Sequence, residues 1–384
     1  MDELPQLLSN LVAINSANPD LVPGSPGEWE IAHFIAEWLR GAGLEVQLID
    51  SAGGRPNVVG IARGRRSRAA GTGDGRTLLL NGHMDTVGAG EMLRPHEPVI
   101  RDGRLYGRGA YDMKGGLAAC MTAIAAARQH PLRGDVIFTG VVDEEYASIG
   151  TADLARRFHA DGAIVAEFTE LQLILAHKGF VWLEVETRGT AAHGSRPDLG
   201  VDAISKMGRV LVGLEQLAQD LRSAGGHPLL GTGSVHASLI HGGRELSSYP
   251  ESCVLSVERR TLPGESAEQA EAELSRIVGD LQRADASFKA AVRRGLDRPP
   301  METSPEAGIA KTIAGAAAGV LGHAAQVAGV PFWTDAAILT EAGIPSVLFG
   351  PSGAGAHAIE EWVDLSSVQA CADIYLATAL DFCA

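Results

Sequence analysis

The chain of 384 residues is 45% apolar and 21% charged with a mean hydropathy of +0.06, which excludes a disordered segment and exceeds what one ordinary core needs. Its 32 basic and 47 acidic residues leave a formal charge of −15, which argues against a nucleic-acid partner. Four cysteines without paired spacing (Cys120, Cys253, Cys371 and Cys383) exclude a disulfide scaffold and a cysteine zinc cluster, and fit a reducing, cytoplasmic setting.

The opening MDELPQLLSN carries acids too early for a signal peptide, and no run of eighteen apolar residues offers a membrane span. Residues 28–43 place Ile31, Phe34, Ile35 and Leu39 on one helical face and stop at Gly41 and Gly43, while 44–50 and 57–62 read as strands. The arginine-rich run 63–75 reads as a mobile hairpin loop. Short apolar runs at 77–85, 135–145, 162–170 and 344–351 each end in polar residues, with a long small-residue helix over 113–130. Such strands, separated by helices, predict a largely parallel sheet covered on both faces, with functional groups at the carboxyl ends of its strands. From residue 181 the texture changes. Segments 181–189, 236–243 and 253–262 alternate apolar and polar, and helical patterns fall at 201–221 and 265–284. The expected architecture is an α/β domain over 1–181 and 295–384, interrupted by a smaller α+β domain over 182–294 in which two helices cover an antiparallel sheet.

Five polar clusters sit at or beyond the predicted strand ends: His83-Met84-Asp85, Asp112, Asp143-Glu144-Glu145, Glu167 and His357. Imidazole and carboxylate are the donors that a divalent ion such as zinc selects without thiolate. Singly these are weak signals, because a His-x-Asp pair is usually just hydrogen-bonded and paired acids usually sit on solvated turns. The run VIFTGVV entering three acids is stronger, since carboxylates at a buried strand end are costly unless cations neutralise them. A pair of cations there would polarise a carbonyl and generate hydroxide.

The segments GHMDTV (82–87), GRGAYDMKGG (107–116), DEEYASIGTADL (143–154), AEFTE (166–170), RGTAAHGSRPDLGVDAI (188–204), ERRTLPGE (258–265) and GAHAIEEWV (355–363) follow one another in a recognisable order. Together they resemble, across the entire chain, the di-zinc amidohydrolases that include acetylornithine deacetylase, succinyl-diaminopimelate desuccinylase, aminoacylase and glutamate carboxypeptidase. The resemblance implies that Asp112 bridges two divalent ions, zinc with cobalt or manganese as substitutes. His83 and Glu167 would complete one metal site, and Glu145 and His357 the other. It makes Glu144 the general base and Asp85 the carboxylate that orients His83. It implies a cis peptide after Asp112. His193, whose bland reading is a turn histidine, becomes an oxyanion donor reaching across a homodimer formed by 182–294.

Arg260 takes the position that holds a substrate carboxylate, with Arg259 as its competitor because only one of the two can face the cleft. Trp333-Thr334-Asp335 and 350–357 would line a specificity pocket, or else serve plain loop packing. Two departures fall near substrate: Ser248-Tyr249-Pro250 where relatives often have Asn before Pro, and Phe168 where relatives commonly have proline. The implied activity is hydrolysis of the amide of an N-acyl amino acid, with a dipeptidase or carboxypeptidase, or a metal-lost binding homologue, as alternatives. A Rossmann oxidoreductase is set aside because no GxGxxG follows an early strand.

Overall fold

The computed structural model describes residues 4–66 and 74–384, and divides into two units. One comprises residues up to Leu175 together with Thr303–Ala328 and Thr334–Ala384; the other comprises Ala176–Glu302 with Gly329–Trp333. The centre of the predicted arginine-rich loop, 67–73, lies outside the described residues; its flanks are tied down, Arg63 pairing with Glu45 and Asp135. Among the described residues, no helix is long and apolar enough to cross a membrane.

The first unit is built on a mixed sheet. Its central strands, Val136–Val141, Leu78–His83, Gly162–Val165 and Ser346–Leu348, run parallel. Glu45–Ala52 and Arg55–Ala62 extend one side antiparallel, and Leu173–His177 extends the other. The apolar runs are continuous because both faces are buried. Leu78, Leu80, Val136 and Phe138 face a core shared with helices Leu4–Ala13, Trp29–Gly41, Gly115–Ala127, Gly308–Leu321 and Leu365–Phe382. On the opposite face Leu79, Asn81 and Thr139 meet Leu154 of helix Ile149–Arg157 and Leu339 of helix Ala336–Glu341. Cys120, Cys371 and Cys383 are buried in the main core.

Helix Gly115–Ala127 is central to this packing, and its small residues permit close approach. A Cβ on Gly116 would stand 1.9 Å from the carbonyl oxygen of Ala166, the residue before Glu167. A small separate sheet, ordered Gly353–Ala354, Trp362–Asp364, Arg104–Tyr106 and Val99–Arg101, ties the segment around His357 to the segment leading into Asp112.

The second unit is a four-stranded antiparallel sheet, ordered Ser234–Gly242, Ser252–Thr261, Gly179–Arg188 and Lys289–Arg298. Helices Ala203–Ser223 and Ala267–Ala284 cover one face, where Val181, Leu183, Val185, Leu255 and Val257 meet Met207, Leu214 and Leu274. Both helices start on side-chain caps. Asp202 accepts from the Ser205 N–H, and Ser266 with Gln269 forms a reciprocal capping box.

Two glycines in helices separate close approach from conformational cost. Gly116→Ala should lower stability by about 1–3 kcal/mol through overpacking. Gly315→Ala, at an exposed mid-helix position with nothing within 4 Å of the new methyl, should raise it by about 0.5–1 kcal/mol. Thermal unfolding of the two variants reads both signs.

Candidate metal centre

Each polar cluster sits where the chain leaves regular structure. His83 is the last residue of its central strand, and Glu144-Glu145 and Glu167 follow the ends of the strands on either side of it. Asp112 lies in the irregular turn Ala110–Lys114, and its peptide bond to Met113 is cis, as expected. His357 stands in the loop between Gly353–Ala354 and Trp362–Asp364 with φ +61°, in the left-handed region.

The five predicted ligands converge. Asp112 stands between two imidazoles: its Oδ1 is 3.2 Å from His83 Nε2 and its Oδ2 is 3.2 Å from His357 Nε2. Glu167 Oε1 lies 3.6 Å from His83 Nε2, and Glu145 Oε2 lies 3.2 Å from His357 Nε2. Glu144 Oε2 is further out, at 3.9 Å from His83 Nε2. Donors that share one tetrahedral ion at about 2 Å from each lie roughly 3.3 Å apart. The four shorter spacings suit shared ions; that of Glu144 suits a carboxylate beside them.

Hydrogen bonds aim these groups. His83 Nδ1 is 2.9 Å from the main-chain oxygen of Asp85, a contact that places a ring proton on Nδ1 and directs Nε2 toward Asp112 and Glu167. The Asp85 carboxylate stands 3.6 Å from the same nitrogen because other donors hold it: Oδ1 accepts from the Glu144 N–H, and Oδ2 from the Glu145 N–H and the Asn18 amide. Glu361 is buried under Asp112. It accepts from the N–H groups of Gly109, Tyr111 and Asp112 and pairs with Arg108 at 2.7 Å.

The electrostatics are those of crowded carboxylates. Burial, reinforced by neighbouring acids, pushes Glu144 well above its ordinary pKa and Glu167 up to about 8. Burial and the charge of Asp112 raise Glu145 as well. Burial opposes ionisation of Asp112 too, yet hydrogen bonds from His357 and His83 outweigh it and hold that carboxyl below its usual range. The hydrogen bonds that His357 donates to Asp112 and Glu145 push its own pKa up to about 10. Glu145 Oε1 is buried without a hydrogen-bond partner among the described residues. Four carboxylates, one of them with an orphaned buried oxygen, and two imidazoles aimed inward are a donor set that divalent cations would satisfy.

Sequence reasoning singled out neither Asn18, Glu28 and Arg55 nor Glu361 and Arg108. Arg55 joins Glu28 at 2.6 Å to Asp143 at 3.1 Å behind Glu144 and Glu145. Thr334 and Asp335 are buried, and Asp335 accepts from Thr151 at 2.6 Å; burial pushes its carboxyl up to about 6.

His193 and Arg260 belong to the second unit. The Ser195 N–H and hydroxyl lie 3.2 and 2.8 Å from His193 Nδ1, so this nitrogen accepts and the ring proton resides on Nε2. Strand alternation separates the two arginines. Arg259 turns to the helical face and is buried in ion pairs with Glu265 and Glu273. Arg260 turns to the open face, pairs with Glu258 at 2.6 Å and lies over the Phe180 ring.

Comparison with known proteins accounts for the arrangement. The model of peptidase family M20/M25/M40 matches residues 79–381. An acetylornithine deacetylase of Myxococcus xanthus is 32% identical, the alignment covering 100% of this chain and 99% of that protein. The N-formyl-4-amino-5-aminomethyl-2-methylpyrimidine deformylase of Bacillus subtilis is 28% identical over 100% and 95% of the two chains. In fold, the chain is similar to a tripeptidase of Staphylococcus aureus, with a TM-score of 0.81 at 22% identity and coverage of 99% and 98%. It is likewise similar to a dinuclear metal-binding peptidase of Bacillus subtilis, with a TM-score of 0.74 at 16% identity and coverage of 99% and 97%. The motif order, the convergence of His83, Asp112, Glu145, Glu167 and His357, and the length of the match agree: this chain is a member of peptidase family M20/M25/M40, a family of hydrolases.

Proposed function

We propose that this chain hydrolyses the amide bond of N-acyl amino acids, in the manner of acetylornithine deacetylase and succinyl-diaminopimelate desuccinylase, within the cytoplasm. The observation that carries the hydrolytic reading is Asp112, whose two oxygens each face a different imidazole at 3.2 Å. Full-length similarity to an acetylornithine deacetylase supports the substrate class.

His83, Asp112 and Glu167 would hold one divalent cation, and Asp112, Glu145 and His357 a second; zinc is the first choice, with cobalt or manganese able to replace it. When bound, such ions polarise the scissile carbonyl and acidify the attacking water. Glu144 takes the proton from that water and delivers it to the leaving amine, a role its burial favours by matching its proton affinity to the task. Asp85 holds the Glu144–Glu145 main chain and His83 in register. Across a homodimer, Nε2–H of His193 from a second copy donates to the oxyanion as it develops, and Arg260 receives the substrate carboxylate as a fork.

Segment 182–294 serves as a lid and dimerisation domain, inserted into a catalytic domain of 1–181 and 295–384. Support comes from its edge strand Ser234–Gly242, exposed nearly throughout, with Leu239 60% and Ile240 48% accessible and Val212 of the neighbouring helix 67% accessible. A long apolar edge of this kind invites pairing with a second copy. A dipeptidase or tripeptidase activity is the second reading, favoured by the fold similarity to a tripeptidase.

The following outcomes are expected. Metal analysis of the purified protein should give about two divalent ions per chain. Glu144→Gln should retain them while kcat falls about 10²–10⁴-fold, and Asp112→Ala should lose metal and activity together. A side-by-side panel of N-acetylornithine, N-succinyl-diaminopimelate, N-acyl aromatic amino acids and dipeptides should show turnover of an acyl amino acid; dipeptide turnover alone would favour the second reading. Light scattering should report a dimer for the wild type and a 40.1-kDa monomer for the Leu239→Asp/Val212→Asp double variant.

A further inference from the structure

We propose that Asn18 is a positioning residue for the Glu144–Glu145 pair, acting through Asp85. The inference rests on the reading above, in which Glu144 moves the proton and Glu145 holds metal. Asn18 is fully buried, and its own placement is over-determined. Its main-chain N–H donates to the Thr86 carbonyl at 2.9 Å, and its carbonyl accepts from the Val22 N–H at 2.9 Å. The side-chain Oδ1 accepts from the Asp20 N–H at 2.9 Å, which fixes the orientation of the amide.

Both amide hydrogens therefore point the other way, and both end on carboxylates: Asp85 Oδ2 at 2.8 Å and Asp143 Oδ1 at 3.0 Å. The two acids are buried, and sharing one nitrogen puts these oxygens within about 6 Å of each other. Like charges this close in a dry setting repel unless a donor stands between them. A primary amide suits that place: it offers two hydrogens and adds no charge. Serine or threonine has one hydrogen, and aspartate would add a third anion.

Asp85 carries the constraint onward. Its Oδ1 accepts from the Glu144 N–H at 3.1 Å and its Oδ2 from the Glu145 N–H at 3.2 Å. Asp143 fixes the same turn from behind. It lies at φ +69°, receives Arg55 at 3.1 Å, and donates its own N–H to Glu28 at 3.1 Å. Asn18 thus sets the rotamer of Asp85, and Asp85 sets the peptide planes from which both glutamates project. A small misplacement of a proton-transfer group can cost a factor of about 10².

The test uses Asn18→Ala and Asn18→Ser in the full-length protein, with two readouts. In steady-state kinetics on the best acyl amino acid of the panel, kcat should fall about 10–100-fold while KM stays within about threefold. In hydrogen–deuterium exchange on the metal-free protein, the 142–148 segment should exchange at least about tenfold faster while the strand at 136–141 keeps its protection. Unchanged exchange at 142–148, or a rise in KM with kcat intact, would overturn the proposal. Should Asn18→Ala fail to fold, Asn18→Ser, which keeps one donor, gives the same two readouts. A wild type inactive on every acyl amino acid would sink the substrate assignment alone, since exchange in the metal-free chain still decides the role of Asn18.

Discussion

Three neighbouring strand ends in a buried sheet deliver acids to one place, and this concentration of negative charge is the constraint around which the first unit is organised. Left to themselves, carboxylates in a water-poor pocket take up protons or move apart. Here geometry keeps them together: Asp112 is clamped between two imidazoles, and main-chain N–H groups and the Arg108 guanidinium hold Glu361 beneath it. The sheet supplies rigidity on both faces, so the repulsion is contained without loosening the core.

That containment explains why the polar scaffold is larger than the cluster it serves. Glu28, Arg55, Asp143 and Asn18 form a second tier of buried charges and amides, drawn from the first helix junction, an antiparallel strand and the turn that carries Glu144 and Glu145. A single guanidinium cannot satisfy three carboxylates by charge alone. Amide and main-chain donors complete the count, and they give the site its directionality.

The strand-to-helix texture, the two helices of the second unit and the residues at the strand ends were legible in the sequence, because buried strands and amphipathic helices leave periodic signatures. His83, Asp85, Glu144 and Glu167 could be located because a polar residue terminating an apolar run is itself a signal. Asn18 and Glu28 carried no such mark. Asn18 lies in a stretch without regular pattern and Glu28 only opens a helical segment, and the Asp85 and Arg55 side chains they bond are 67 and 27 residues away. Glu361 looked like one more surface acid in GAHAIEEWV, and only the small sheet that pairs Trp362 with Tyr106 reveals its place under Asp112. The choice between Arg259 and Arg260 needed a face assignment, which came from the helix that covers one side of their strand.

The thiols sharpen the chemistry in an unexpected way. All four cysteines are sequestered, three in the main core and Cys253 beneath the helices of the second unit. The donor set at the strand ends is therefore restricted to nitrogen and oxygen. No thiolate is available there to favour a soft ion over a borderline one. The apolar cores, by taking up the sulfur, leave the choice of ion to imidazole and carboxylate alone.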